Sequence, residues 1–191
     1  SEALQRVAFW LEDQRQMASL RLPRDQEVLS AELDVDGIHA WARLYDRLSG
    51  ALRITIMEKG ELVERSPGQV QFDSPQRGIR QNNFYSSLTA WRSIGDSCAD
   101  ALNHIAGTRL TRYRRLGLED HLDAPLLHNR MQRKTLQAMW SAVDDRKEML
   151  LDYFQAKARL LGLDALCWYD LQAPMPAPAS VDVGIDYDTA C

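Results

Sequence analysis

Residues 73–117 read DSPQRGIRQNNFYSSLTAWRSIGDSCADALNHIAGTRLTRYRRLG, and the periodicity of this stretch decides what kind of fold the chain can have. Phe84, Leu88, Trp91, Gly95, Cys98, Leu102 and Ile105 recur at alternating spacings of four and three. That is a helix face made to pack along another helix. Asp73 or Ser74 can cap the start, and Pro75 sits where a first helical residue tolerates proline. Gly95 lies on the seam, which predicts a close backbone approach there. The helix ends near Gly107, or runs on through RLTRYRRLG to Gly117.

Working outward toward the start of the chain, Leu4, Val7, Ala8, Leu11 and Ala18 repeat at helical spacing. Pro23 with Asp25 and Glu27 opens a second helix, and Asp36 caps a third with Ile38, Trp41, Tyr45 and Leu48 on one face. Leu52–Ile56 switches to period two, and the Lys59-Gly60 turn lets Glu61–Glu64 pair back as a hairpin spanning about 51–65. Toward the other end, a short helix starts near Pro125. A long one is expected over 134–161, with Leu136, Trp140, Val143, Leu150, Phe154 and Leu161 inward and Gly162 as its stop. Leu166–Tyr169 reads as an apolar extended stretch, with Trp168, Tyr169, Leu171 and Met175 as an exit strand. A Pro-rich crossing then leads into Asp186–Ala190, the cap and first turn of another helix. A chain ending inside an element it has just opened is expected to be a piece of a larger protein. No internal repeat is present.

The 191 residues are 45% hydrophobic and 26% charged, the balance of a soluble globular protein. No apolar run approaches the roughly 20 residues of a membrane helix, and the opening SEALQRV does not read as a signal peptide, although a trimmed start could hide one. Three widely spaced cysteines (Cys98, Cys167, Cys191) with no CxxC favour a reducing compartment, and a net charge of −4 gives no reason to expect nucleic acid.

The reactive side chains form no complete active site. His121 and His128 with Asp120 and Asp123 are a loose metal-site candidate, but Pro125 intervenes and the spacing of HExxH is absent. Asp100 and His104, one turn apart, read as a hydrogen-bonded pair. Cys98 reads as a small core residue, Cys167 sits in an apolar setting, and His39 is expected to be partly exposed. Asp144, Asp145, Glu148 and Asp152 read as a solvated acidic face. Arg109, Arg112, Arg114 and Arg115 around Tyr113 could contact phosphates, although a helix C-terminus attracts cations anyway. There is no GxGxxG, GxxxxGK[ST] or GxSxG motif.

Four stretches together carry a resemblance: FWLEDQRQMASLRLPRDQEVLSAEL (9–33), GIHAWARLYDRL (37–48), ALNHIAGTRLTRYRRLG (101–117), and the run HNRMQRKTLQAMWSAV into YFQAKARLLGLDALCWYDLQAPM (128–175). In content and order they resemble the oligoendopeptidase F family of zinc metallopeptidases, relatives of thimet oligopeptidase. The resemblance implies a helical N-terminal lobe forming one wall of a deep channel. A catalytic lobe would follow, where HExxH and a downstream glutamate hold zinc and activate water. None of those zinc-site residues occurs here, so no catalytic, cofactor-binding or metal residue is assigned.

The expectation is therefore a mainly α, multi-helix lobe with one small β-hairpin, a truncated part of a larger two-lobed α-helical metallopeptidase. Residues 1–165 would form the lobe, and 166–191 the connector and first turn of the catalytic lobe. The chain alone would bind no zinc and be inactive. The full-length parent would be a cytoplasmic zinc oligopeptidase hydrolysing short peptides, with the catalytic lobe of the same polypeptide as partner and neither nucleic acid nor membrane. The alternative is a free-standing helical module that binds a protein or nucleic acid.

Overall fold

A computed structural model describes residues 2–175. The helix start expected at Asp186–Ala190 lies outside the described residues. In chain order the elements are α1 (Glu2–Gln5), α2 (Ala8–Ala18), α3 (Arg24–Asp36), α4 (Ile38–Ala51), β1 (Ile54–Glu58), β2 (Glu61–Arg65), α5 (Arg77–Ser93), α6 (Gly95–Arg115), α7 (Asp123–His128), α8 (Arg133–Asp144) and α9 (Lys147–Leu160). Short 3-10 turns occupy Pro67–Gln69 and Trp168–Asp170. The fold is mostly helical with one antiparallel hairpin, as the periodicities require.

The chain forms two compact units. The first comprises residues 1–53 and 89–145; the second comprises 54–88 and 146–191.

In the first unit α4 packs along α6 and α3 along α4. Cys98 and Ala101 of α6 are buried at this packing, and Trp41 of α4 stacks on His104 of α6 at 4.3 Å. Leu102, expected on the seam, is instead half exposed. Gly95 meets no neighbouring atom within 4 Å of where a Cβ would lie, so no close approach occurs there. It follows the break at Ile94 that separates α5 from α6. The helix does run on past Gly107. It ends in a Schellman motif, with Gly117 at φ 72°, its N–H bonded to Arg114 O and the Leu118 N–H bonded to Tyr113 O.

Asp36 does not cap α4. It is the last residue of α3, and Gly37 makes the corner, where a Cβ would come within 2.8 Å of the Leu33 carbonyl oxygen. Space, rather than capping chemistry, selects the residue at this turn.

In the second unit the hairpin is in register with Ile54 opposite Arg65 and Glu58 opposite Glu61. Lys59 and Gly60 both have positive φ, 52° and 88°, the type I′ geometry that matches strand twist. Ile54 and Ile56 point into the core, each contributing about 1.5–3 kcal/mol of burial. The opposite edge is closed by Asn83, which accepts from the Met57 N–H at 3.0 Å and donates to Met57 O at 3.3 Å.

The long helix expected over 134–161 is two helices, interrupted at Asp145-Arg146. Its intended inward residues Trp140, Val143 and Leu150 are exposed. Leu4, Val7 and Leu11 near the start are exposed as well. The hydrophobic spacing is real at each of these places, but no described element covers it.

Candidate functional site

A groove of about 1190 Å³ lies in the first unit, with α3 and α6 as its walls, reached also by the ends of α2, α4 and α7. Arg112 of α6 joins the two walls, donating to Glu27 at 2.7 Å and to Asp34 at 3.3 Å, both on α3. Glu27 also accepts from the Leu22 N–H at 2.6 Å, which fixes the turn entering α3. That backbone bond, aided by Arg112, holds the Glu27 carboxyl below its usual range. A smaller recess of about 310 Å³ beside α2 contains Asp13, whose carboxylate Arg130 grips at 2.8 and 3.0 Å. The same guanidinium lies 5.5 Å over the Phe9 ring.

In the second unit the charges are deeper. Asp170 is fully buried. It accepts from Arg80 Nη2 at 2.8 Å, from Arg77 Nη2 at 3.0 Å and from the Cys167 N–H at 3.0 Å. Arg80 also donates to the carbonyls of Tyr169 and Ser74. Burial pushes the Asp170 carboxyl up, but the two guanidiniums and the backbone donor outweigh it and the net position is below the ordinary carboxylate range. Phe84 packs against Tyr169 and Phe72, with ring centroids 5.6 and 6.3 Å away. Lys157 of α9, itself buried, donates to Leu171 O at 2.7 Å. The stretch read as an extended exit strand is therefore a 3-10 turn clamped by α5. Tyr169 and Asp170 are buried, while Trp168 stays exposed. Cys167 is exposed too, with Arg77 Nη2 3.4 Å from its sulfur, rather than in an apolar setting.

This clamp was missed from sequence, yet a signal existed. Arg80 falls on the seam of Phe84, Leu88 and Trp91, one step of four before it. A cation on an otherwise apolar stripe implies a buried counter-ion.

The other candidates are placed as follows. Asp120 and Asp123 are both held by Arg133, at 3.0 and 2.8 Å, and His121 sits 3.3 Å from Asp120. His128 lines the groove instead. His104 stacks on Trp41, and Asp100 makes no hydrogen bond to it. Of the arginine cluster, Arg109, Arg112 and Arg115 line the groove. Among the described residues no three His, Cys, Asp or Glu side chains could together hold a metal ion. Zinc thus does not fit the described residues, and no catalytic step is placed on them. Nor is any described helix long and apolar enough to cross a membrane.

Against this geometry the comparisons are specific. Residues 1–54 match the Oligopeptidase F family model. That stretch holds α1 to α4 and the α3 wall of the groove. Two solved structures share the fold. One is oligoendopeptidase-F from Enterococcus faecium, with 21% identity and a TM-score of 0.77 over 91% of this chain and 34% of that one. The other is a protein from Chlamydophila abortus described as a "putative peptidase", with 18% identity and a TM-score of 0.78 over 91% of this chain and 30% of that one. The chain thus spans about a third of the length of each. No curated protein matches it.

Proposed function

We propose that this chain is the N-terminal, non-catalytic lobe of a zinc-dependent oligoendopeptidase of the oligopeptidase F type, forming one wall of the channel that admits short peptides. The observation that carries the reading is the fold match over 91% of this chain to a third of an oligoendopeptidase-F, with the family match at 1–54 in support. The exposed apolar side chains of α2, α3, α8 and α9 also support it. Apolar patches larger than a few hundred Å² are rare on soluble monomers and mark surfaces meant for a partner. In this reading the partner is the catalytic lobe of the same polypeptide. That lobe would hold the zinc and activate the water, while the present residues position it and shape access. The reducing setting favoured by the spread cysteines supports the cytoplasm as its location.

The test begins with expression from the native gene. The product should be several-fold heavier than 21.8 kDa and should hydrolyse quenched fluorescent peptides in a chelator-sensitive manner. The 191-residue chain should do neither. A native product of this chain's own mass with no peptidase activity would overturn the reading and leave a free-standing helical binding module.

A further inference from the structure

Two properties of the groove between α3 and α6 bear on what it receives. The first is its apolar lining, which includes Leu20, Leu22, Leu29, Leu33, Ile38 and Leu116. Leu29 and Leu33 are 56% and 65% exposed although they stand in a concavity. The second is charge. Arg21, Arg109, Arg112 and Arg115 face the groove against only Glu27 and Asp34. Arg112 satisfies both carboxylates. Arg109 and Arg115 have no acidic partner among the described residues, and with Arg112 they repeat every three residues along one stripe of α6. The attraction of a helix C-terminus for cations acts within the last turn, and Arg109 lies outside it.

Walls made of helices present side chains rather than free strand-edge groups, so an extended peptide would find no backbone to pair with. A helix, whose backbone bonds are internal, needs only an apolar stripe for the leucines and carboxylates for the arginines. The α3 wall is 13 residues long, roughly 20 Å, the length of a three- to four-turn helix. The two carboxylates and the leucines disfavour a nucleic-acid backbone.

We infer that this groove seats an acidic amphipathic helix, supplied by the additional polypeptide of the larger peptidase. The source rests on the reading of the preceding subsection, whereas the recognition rests on the groove alone. The neighbouring structures, about three times the length of this chain, leave ample polypeptide to provide it.

The probe is a fluorescein-labelled helical peptide of about 14 residues with a leucine stripe flanked by glutamates. A lysine-flanked twin and a uridine oligonucleotide serve as comparisons. By anisotropy with the 191-residue chain, the glutamate peptide should bind at least about tenfold tighter than its twin and weaken as salt rises. The double variant Arg109→Glu with Arg115→Glu, both exposed positions, should keep its circular dichroism and invert the preference. Equal binding of the two peptides, tighter binding of the oligonucleotide, or an unmoved preference in the variant would overturn the recognition. The longer gene product, with its own helix seated, should not bind the probe. Binding equal to that of the 191-residue chain would overturn the source. A gene product no longer than this chain would overturn the source and the peptidase reading together, while the peptide comparison would still decide the groove.

Discussion

In the first unit Arg112 reaches Glu27 and Asp34 from a position about a third open to water, whereas in the second unit Arg80 reaches Asp170 with both side chains sealed away. The motifs are inverses, one guanidinium of α6 holding two carboxylates and two guanidiniums of α5 holding one. Their energetic roles differ because water competes for one and not the other. A pair in reach of solvent is worth about 0–1 kcal/mol, while removing one member of a buried pair leaves an uncompensated charge and costs about 3–5 kcal/mol. The first unit can therefore spare the Arg112 pairs and still present them to a partner. The second depends on its clamp.

The sharpest way to break that contrast is Asp170→Asn. It should destabilise the chain by about 3 kcal/mol in urea unfolding, and a loss under 1 kcal/mol would mean that the buried guanidiniums are solvated in solution. The same substitution should flatten the acid limb of stability. The Asp170 carboxyl lies below its ordinary value when folded, so the unfolded chain takes up the proton first. Its contribution is complete above the ordinary carboxylate range, near pH 4, and is lost as pH falls through the lower folded value. The gap between wild type and variant should therefore narrow progressively below about pH 4. Next in size is Asn83→Ala, which leaves the Met57 N–H and carbonyl without their side-chain partner. About 2 kcal/mol is expected, with hydrogen exchange at Met57 accelerated relative to Ile56. Smallest should be Arg112→Ala, at about 1 kcal/mol or less and diminishing with added salt. A larger effect would place the α3–α6 bridge in the same class as the clamp.

Much of the helical order was legible in the sequence because α6 and β1 bury part of the stripe that sets their period, Cys98, Ile54 and Ile56, and α4 half-buries its own face. The breaks were not. Residues 134–161 keep a helical hydrophobic period across Asp145-Arg146, and nothing in the residue types there forbids a continuous helix. The interruption accompanies the passage of the chain from one unit to the other, a tertiary fact. Trp140, Val143 and Leu150 obeyed the pattern and were still wrong as core, since periodicity identifies a face without supplying what covers it. Asp170 failed for the opposite reason. WYDLQAP reads as apolar and extended, and its aspartate becomes intelligible only beside Arg77 and Arg80, some 90 residues earlier. The groove was half visible: its arginines stood out as a basic cluster, but Glu27 and Asp34 on α3 gave no sign of meeting Arg112.

The separation between those clamp partners has a consequence for synthesis. Arg77 leaves the ribosome 93 residues before Asp170, and at roughly 5–20 residues per second the interval is about 5–20 s. For that time the start of α5 carries two guanidiniums without their anion, beside a hairpin that cannot stand alone. The second unit is thus finished last, though its first half is translated before α6, α7 and α8 of the first unit. A codon-level pause between residues 88 and 170 would lengthen that exposed interval, and the nascent chain's sensitivity to protease within it should rise in proportion.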